Sequence, residues 1–452
     1  MRLSAATLER VPAAVERFAY DRAAQAIGIV HLGLGAFHRA HQAWYTDRAM
    51  GGGDRDWAIA GVSLRSAAVA AQLDPQDGLY TVAERAKDGT GLRVVGAVRQ
   101  AIAADPARAA ALISEPATRI VSLTVTEKGY ARRGDGSLDR VAADGAGSIY
   151  PLIGDGLRRR RGAGLPGVTL LSCDNLADNG RQLERLLLGY LGGTDAALAT
   201  WVERECAFPS TMVDRIVPAT TATDLDIIAA RLGLRDEGVV LTEPFSQWVI
   251  EDRFAGPRPR WEMVGAELVG DVAPYETAKL RMLNGAHSAL AYLGLERGHT
   301  YVHQAIADPA LRPLVEQLIR EEAATSFTPA PGQDLAAYAH ALLARFANPA
   351  LQHRLAQIAI DGSQKIPNRW LPVLAFHRSY GRRCSATLAA LAAWLRLVRG
   401  DNGGVDDPQA EALRAAWTGH DLAGAAHTVF AAGGAMGGSW QPDEADLASM
   451  RA

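Results

Sequence analysis

The chain has 452 residues and a formal net charge of −3 at pH 7, so no overall positive charge favours binding to nucleic acid or to an anionic membrane. Hydrophobic residues make up 48% and charged residues 21%, which is ordinary for a globular protein of two or three domains. Cys173, Cys206 and Cys384 are too scattered for a disulfide framework or a zinc ribbon. The N-terminus lacks the apolar core of a signal peptide, and no uninterrupted apolar window is long enough to span a membrane. We therefore expect a cytoplasmic protein without nucleic-acid or membrane partners.

The first clear element is a compact apolar run at 26–32, which predicts a buried strand of a parallel sheet. Two glycines follow it directly, and a segment compatible with a helix comes next. Strand, Gly-x-Gly and helix open a dinucleotide-binding unit, because glycines let the backbone approach a pyrophosphate and the helix start offers unpaired N–H groups. His38 stands where the usual fingerprint has its third glycine. The residues expected to contact the cofactor here are Gly33, Gly35, Ala36, Phe37 and His38.

A second strand is predicted at 57–62. The usual nicotinamide fingerprint places an acidic residue after this strand, where it binds the adenosine ribose. Ser63, Leu64 and Arg65 follow instead. We expect NAD as the cofactor, the missing acid leaves NADP open, and Arg65 becomes a candidate for contact with the nucleotide.

Two more buried strands, at 119–125 and 168–173, end in polar residues. Thr126 and Glu127 follow the first strand, and Asn175 follows the second. Because open α/β sheets bind ligands at the carboxyl ends of their strands, these residues should lie at the same edge as the glycine turn. We assign Thr126 and Glu127 to the cofactor side of the site.

The strand patterns give way to helical patterns past the middle of the chain. Strands at 79–86 and 92–98 are predicted to form a hairpin, and further strands are predicted at 239–250 and 261–272. Alanine- and leucine-rich helical patterns then dominate. We therefore expect an α/β protein, with an expanded Rossmann-like dinucleotide-binding domain at 1–273 and a mostly α-helical substrate and catalytic domain at 274–452.

The helical half opens with the segment 276–294, whose apolar residues recur at spacings of three and four. Lys279, Asn284 and His287 interrupt this pattern, and at about 100° per residue all three fit in one arc of an α-helix. A lysine, a carboxamide and an imidazole in that arc could transfer a proton and polarise a carbonyl without a metal. An ordinary packing helix with a surface lysine explains the same pattern equally well.

Several dehydrogenase chemistries compete for such a chain. A zinc enzyme would need a Cys/His/Glu ligand set that the scattered cysteines do not provide, so no metal is expected. Tyr275 and Lys279 have the Tyr-x-x-x-Lys spacing of short-chain dehydrogenases, but they come far too late after the glycine turn for that architecture. A lysine base would need its pKa lowered from about 10.4 toward neutrality. Asn175 and Asn284 could both donate hydrogen bonds to an alkoxide.

Two polar sites remain outside this helix. An internal acid, Asp214, lies in the proline-bracketed segment 208–218. The polar stretch 361–370 contains a glycine, a proline and two cations four residues apart, Lys365 and Arg369. This composition is typical of a helix-ending loop. The alternative interpretation is that the two cations form a clamp for an anion or a polyhydroxyl compound.

The motif Lys279-Leu-Arg-Met-Leu-Asn284-Gly-Ala-His287 resembles the signature of the polyol-specific long-chain dehydrogenases, the mannitol dehydrogenase family. Other blocks similar to the family occur in the same order over nearly the whole chain: 28–42, 122–130, 172–176, 211–218 and 243–252. The resemblance implies an expanded Rossmann domain, a helical domain, an active site between them and no zinc. It also implies a monomer or a small homo-oligomer. It makes Lys279 the general acid/base, Asn175 and Asn284 the oxyanion holders, and His287 the residue that orients the substrate. We also assign Asp214 to the substrate site.

Within the family, the blocks at 126–130 and 361–369 resemble the fructuronate reductase (D-mannonate oxidoreductase) branch. Lys365 and Arg369 could pair with the carboxylate of a uronate. Because Lys365 also occurs in polyol-specific members, Arg369 carries most of the discrimination. The leading expectation is NAD(P)-dependent interconversion of D-fructuronate and D-mannonate. The alternatives are a dehydrogenase for mannitol, arabinitol or sorbitol, and a non-catalytic nucleotide sensor.

Overall fold

The computed structural model describes residues 1–400 and 406–451. The chain divides into two compact units, Met1–Val272 and Ala273–Ala452. The strands of the first unit are β1 (Glu16–Arg17), β2 (Ile27–Leu32), β3 (Ala58–Ser63), β4 (Tyr80–Ala86), β5 (Gly89–Val95), β6 (Val98–Ala103), β7 (Ile120–Leu123), β8 (Thr169–Ser172), β9 (Thr211–Asp214), β10 (Val240–Thr242), β11 (Gln247–Glu251) and β12 (Glu267–Val269). Its α-helices are α1 (Ala36–Ala40), α2 (Gln42–Gly51), α3 (Ala68–Leu73), α4 (Pro106–Ile113), α5 (Arg140–Ala143), α6 (Ile149–Gly162), α7 (Asn179–Gly192), α8 (Ala196–Glu205) and α9 (Ala222–Leu232). Short 3₁₀ segments lie at Ala5–Arg10, Asp74–Gln76, Glu127–Tyr130 and Trp261–Val264.

The central sheet of the first unit is parallel, with the strand order β6-β3-β2-β7-β8. The first strand of this sheet, β2, lies in its middle. The strands β3 and β6 then extend the sheet on one side, and β7 and β8 extend it on the other, which is the order of a dinucleotide-binding fold. Leu32 pairs with Val62 and with Leu123, and Leu123 pairs with Ser172. The carboxyl ends of these strands are therefore level at one edge of the sheet.

Both faces of this sheet are buried. Val30 and Leu32 of β2 pack with the helices α4, α6 and α7 on one face. Ile29 of the same strand packs with α2 on the other face. Burial on two faces explains why these strands appear in the sequence as continuous apolar runs.

Two smaller sheets expand the unit, with the strand orders β1-β5-β4-β10 and β12-β11-β9. The predicted hairpin is present, since β4 and β5 pair in antiparallel fashion. The predicted strand at 261–272 is wrong in its first half, because Trp261–Val264 forms a 3₁₀ turn. Trp261 is fully buried, its indole N–H donates to Thr46 Oγ1 at 3.1 Å, and Gly265 ends the turn with a φ of +101°. Packing of the indole, rather than strand pairing, determines the backbone there.

The second unit is helical over the residues that the structure describes. Its α-helices are α10 (Ala273–Ala278), α11 (Gly285–Glu296), α12 (Val302–Ala307), α13 (Arg312–Gln317), α14 (Leu335–Phe346), α15 (Leu355–Ala359), α16 (Gly362–Arg369), α17 (Leu371–Ser379), α18 (Ser385–Arg399), α19 (Ala410–Ala415), α20 (Leu422–Phe430) and α21 (Glu444–Arg451). Two π-helical segments, Lys279–Asn284 and Leu318–Ala323, and a 3₁₀ turn, Pro349–Leu351, complete it. The residues 285–294 of α11 are all buried, and α11 packs against α12, α15 and α18. Within the described ranges, no helix is long and apolar enough to cross a membrane.

The loop expected at 361–370 is wrong, because Gly362–Arg369 is the helix α16. Its backbone starts from Asp361 in the left-handed region, with a φ of +55°. Asp407 accepts hydrogen bonds from the Ser363 amide at 2.8 Å and from its hydroxyl at 2.6 Å. These bonds from a distant part of the chain stabilise a helix that tolerates Pro367 in its interior.

Candidate active site

The glycine turn after β2 has the shape that a close approach of a ligand to the backbone requires. Gly33 has a φ of +100°, and a Cβ at this position would lie 2.0 Å from the Thr124 carbonyl oxygen. Only glycine fits there. At Gly35 the nearest atom to such a Cβ is 3.7 Å away, so the second glycine leaves open space beside the backbone. Ala36 and Phe37 follow at the start of α1 and are partly exposed.

A buried hydrogen-bond network stabilises the glycine turn after β2. The two ring nitrogens of His31 lie 2.8 Å from Ser122 Oγ and 2.8 Å from Thr124 Oγ1. Thr124 Oγ1 in turn donates to the Gly33 carbonyl at 2.8 Å. Burial lowers the pKa of His31 to about 3, so its imidazole is neutral. The side chain of Thr124, directly after β7, thus fixes the carbonyl of the first glycine with support from His31 of β2.

His38 lies in this core and not at the surface. Its ring is 0% exposed and stacks on His31 with a centroid distance of 3.3 Å. Burial, together with the nearby His31 and Arg39, lowers the pKa of His38 well below its ordinary value. The structure therefore places its side chain in the packed interior of the unit, and its expected contact with a cofactor stays a prediction.

The other candidates of the first unit follow the carboxyl ends of the parallel strands. Arg65 comes after β3 and is exposed, as are Thr126 and Glu127 after β7 and Asn175 after β8. Thr126 has a φ of +64° and a ψ of 165°, a backbone region that is essentially restricted to glycine. Strain of this kind clusters at ligand sites.

Asp214 ends β9 and is 4% exposed. Asn179 connects this strand to the segment that follows β8, because its amide nitrogen donates to the carbonyls of Asp174 at 2.9 Å and Thr211 at 2.8 Å. The neighbouring Arg215 is buried and forms an ion pair with Glu84 at 2.5 Å. Asp214 therefore stands on a rigid strand end beside the edge that carries Asn175.

The helix that carries the proposed catalytic residues is continuous but not regular. Lys279 and Asn284 are the first and last residues of its π-helical segment. In an α-helix, residues five apart are about 140° from one another. A turn closed by i→i+5 hydrogen bonds holds more residues than an α-helical turn, so residues five apart lie at a smaller angle to one another. The arc predicted from α-helical geometry is thus incorrect in detail, and the π turn aligns Lys279 and Asn284 more closely than predicted.

His287 lies one α-helical turn beyond Asn284 and is 8% exposed. Its ring contacts Phe346 and His353, with centroid distances of 4.7 and 5.4 Å. Burial lowers the pKa of His287 well below its ordinary value, and the nearby His353, Arg345 and Arg369 lower it further. The imidazole is therefore neutral and sits among cationic neighbours.

The two cations of α16 both have partners within the second unit. Arg369 Nη1 donates to the Asn284 carbonyl at 3.0 Å and to Ser288 Oγ at 2.7 Å. Burial lowers the pKa of Arg369 to about 10. Lys365 Nζ donates to the Ile360 carbonyl at 2.6 Å, and burial followed by the charge of Arg369 lowers its pKa. Arg369 thus braces the backbone that carries Asn284.

No group of three His, Cys, Asp or Glu side chains is arranged to hold a metal ion in the part of the chain that the structure describes. The candidates instead form two sets, one in each unit. The first set follows the sheet edge around Gly33, Thr126 and Asn175. The second set surrounds His287.

Two family models match these two units. The mannitol dehydrogenase Rossmann domain matches residues 27–263, and the mannitol dehydrogenase C-terminal domain matches residues 271–427. The chain belongs to the mannitol dehydrogenase family. The predicted family, the fold class and the prediction of a dehydrogenase are thereby confirmed.

Relatives within the family differ in the substrates they are named for. D-mannonate oxidoreductase of Escherichia coli is 42% identical over 402 residues, which cover 85% of this chain and 83% of the relative. Mannitol 2-dehydrogenase of Pyrenophora tritici-repentis is 40% identical over 420 residues, which cover 88% and 74%. The mannitol 2-dehydrogenase of Pseudomonas fluorescens, solved as a ternary complex with NAD and D-mannitol, has a TM-score of 0.83 and 34% identity, and covers 100% of this chain and 95% of that structure.

Two residues of these sets were not found from the sequence of this family member. His353 contacts His287 from a segment between α14 and α15, and no spacing in the sequence connects the two. Asp174 directly precedes Asn175 and is buried. Its position at a strand end was a usable signal, but nothing in the residue pattern favours Asp174 over its neighbour Asn175.

Proposed function

We propose that the protein is an NAD-dependent oxidoreductase that interconverts D-fructuronate and D-mannonate by hydride transfer, with a lysine acid/base and no metal. The set of cations near His287 carries this proposal. Arg345 and Arg369 are the charged groups that, with His353, lower its pKa, and Lys365 precedes Arg369 by four residues on α16. Paired cationic donors of this kind suit a substrate carboxylate. The relative named D-mannonate oxidoreductase supports the same substrate.

In the proposed reaction, the Lys279 amine removes the proton from the secondary hydroxyl of the sugar acid, and its ammonium returns a proton to the carbonyl oxygen in the reverse direction. Bound NAD supplies the acceptor for the hydride, and NADH the donor. The side-chain amides of Asn175 and Asn284 donate hydrogen bonds to the oxygen on which negative charge develops. Neutral His287 orients the substrate without adding charge, and Asp214 accepts hydrogen bonds from the hydroxyls of the substrate.

The first unit has features that fit a dinucleotide. The turn at Gly33 and Gly35 offers backbone approach to a pyrophosphate. Ala36, Phe37, Thr126, Glu127 and Arg65 are the residues we place along the nucleotide. NAD is preferred because the solved Pseudomonas fluorescens relative contains it. In this proposal residues 1–273 bind the cofactor, residues 274–452 supply acid/base and substrate groups, and the protein acts in the cytoplasm as a monomer or small homo-oligomer.

Oxidation of an uncharged polyol such as mannitol, arabinitol or sorbitol is the second candidate. The hydrogen bonds from Arg369 to the Asn284 carbonyl and Ser288 Oγ favour it, because they give Arg369 a task that is independent of substrate charge. The relatives named mannitol 2-dehydrogenase point the same way.

Steady-state kinetics with NAD and NADP over D-mannonate, D-mannitol, D-arabinitol and D-sorbitol distinguish the two candidates. We expect kcat/KM for D-mannonate to exceed that for D-mannitol by at least about tenfold, because a hydrogen bond to a charged group contributes ~1.5–3 kcal/mol. Equal or better oxidation of D-mannitol would favour the second candidate. Lys279→Ala should lower kcat on the preferred substrate by about 10²–10⁴-fold, whereas the exposed Lys87→Ala should leave it unchanged. Binding of NAD without turnover of any substrate would favour a nucleotide sensor.

A further inference from the structure

Asp174 is a buried carboxylate at the carboxyl end of the central sheet, with 8% of its surface exposed. One oxygen accepts from the Thr126 amide at 2.9 Å, and the other accepts from the Val125 amide at 3.0 Å and from the Tyr130 hydroxyl at 2.9 Å. The Ser172 and Tyr130 hydroxyls lie 2.6 Å apart. The side chain of Asp174 therefore connects the end of β8 to the whole segment that follows β7.

These bonds hold a strained backbone in place. Thr126 is a β-branched residue with a φ of +64° and a ψ of 165°, where side chains other than glycine are rarely found. Its amide bonds to Asp174, and its carbonyl accepts from the Gly129 amide at 2.9 Å. A conformation of this kind persists only where the surroundings determine it strongly. At Thr126, the carboxylate of Asp174 is the group that does so.

The backbone of Asp174 is fixed as firmly as its side chain. Its carbonyl accepts from the Asn179 amide nitrogen at 2.9 Å, and the same nitrogen donates to the Thr211 carbonyl at 2.8 Å on β9. Asn175 is the next residue along the chain. Its side chain therefore projects from a peptide that is restrained on the side of Asp174.

A buried carboxylate bonded by neutral donors is a costly choice for stability alone. Burial raises the pKa of Asp174 in spite of the hydrogen bonds it accepts. A neutral side chain of the same shape would avoid this desolvation. Such costs are typical of residues that serve a functional geometry.

We infer that Asp174 is a positioning residue whose carboxylate holds Thr126 in the backbone conformation needed for the nucleotide and whose backbone sets the direction of Asn175. One residue thereby aligns the cofactor side and the oxyanion side of the site. This inference rests on the proposed function, because it assigns Thr126 to the cofactor and Asn175 to the oxyanion.

The test is the dissociation constant of NAD, measured by titration of the full chain without substrate, together with kcat on the preferred substrate. Asp174→Asn keeps the shape but can offer only one accepting oxygen, so we expect the Kd for NAD to rise by at least tenfold and kcat to fall by at least tenfold. Glu322→Gln is the matched control. Glu322 is a buried carboxylate of the second unit that accepts from the Ala386 and Thr387 amides at 2.9 and 2.8 Å. We expect this control to leave the Kd for NAD within twofold of wild type, whatever it does to the melting temperature.

A rescue variant separates positioning from general stability. Glycine adopts the backbone conformation of Thr126 without strain, so Asp174→Asn combined with Thr126→Gly should recover at least threefold in the Kd for NAD. If Asp174→Asn does not fold, Tyr130→Phe removes one donor and leaves the carboxylate in place, and it should raise the Kd two- to fivefold. An unchanged Kd in the variant used, equal weakening by Glu322→Gln, or no recovery in the double variant would overturn the inference. Wild-type protein that does not bind NAD would instead overturn the proposed function.

Discussion

Arg369 is the residue on which the choice of substrate depends. As a carboxylate clamp it would affect sugar acids alone, whereas as a brace for Asn284 it would affect every substrate. We expect Arg369→Ala to remove both the contact with the substrate carboxylate and the support of Asn284. The free energy of unfolding should fall by about 1–3 kcal/mol, because the Asn284 carbonyl and Ser288 Oγ each lose a donor, and KM for D-mannonate should rise by at least tenfold. Urea unfolding and steady-state kinetics measure the two effects.

Ser288→Ala is the control for the brace at the same site. It removes one acceptor of Arg369 and leaves the guanidinium in place, so it should reduce stability by about 0.5–1.5 kcal/mol with no change in KM for D-mannonate. If Arg369→Ala leaves that KM unchanged while stability falls, Arg369 only supports the helix.

The π turn is the element that aligns Lys279 with Asn284, and its junction with α11 is closely packed. A Cβ on Gly285 would lie 3.3 Å from Trp370 Nε1, which donates to the Gly285 carbonyl at 3.2 Å. Replacement of glycine by alanine inside a helix usually stabilises by about 0.5–1 kcal/mol. Gly285→Ala should lose this gain because the indole must move, and kcat should fall by about 3–10-fold as Asn284 shifts. Chemical unfolding and kcat measure the outcome.

Gly189→Ala in α7 is the comparison, since apart from its chain neighbours and its own helix backbone no heavy atom lies within 4 Å of its Cβ position. This variant should gain the full stabilisation that alanine gives over glycine inside a helix, without any change in kcat. Equal stabilisation by both substitutions, with unchanged turnover, would show that the junction tolerates a methyl group and does not control Asn284.

At the same scale, the elements show what local patterns can predict. The strands β2, β3, β7 and β8 were predictable, because strands buried on both faces are apolar runs and their polar ends mark the ligand edge. The π turn was not predictable, because the apolar residues of a helix recur at similar spacings whether or not one of its turns contains an extra residue. The helix α16 was missed because glycine and proline suggest a loop, while the bonds that stabilise it come from Asp407, 44 residues away from Ser363.

For the molecule as a whole, buried histidines in both units make the free energy of unfolding depend on pH. His31, His38 and His287 have pKa values lowered by burial, to about 3 for His31 and well below the ordinary value for the others. In the unfolded chain these groups bind protons at a pKa of about 6.5. The unfolded state therefore binds more protons below this pH, and the free energy of unfolding must fall as the pH is lowered. At pH 5.5 each histidine contributes a loss of about 1.4 kcal/mol.

The raised pKa values of Asp174 and Asp236 oppose this loss at still lower pH. A variant that lacks one buried histidine therefore measures the contribution of that histidine to the loss. His38→Leu fills similar volume and takes up no proton. Between pH 7.5 and pH 5.5, its urea-unfolding free energy should fall by about 1.4 kcal/mol less than that of wild type. His427→Leu, at an exposed site, should follow the wild-type curve. If His38→Leu and wild type lose stability in parallel, the His38 imidazole is protonated in the folded protein, and the stacked pair beneath the glycine turn opens to solvent in this pH range.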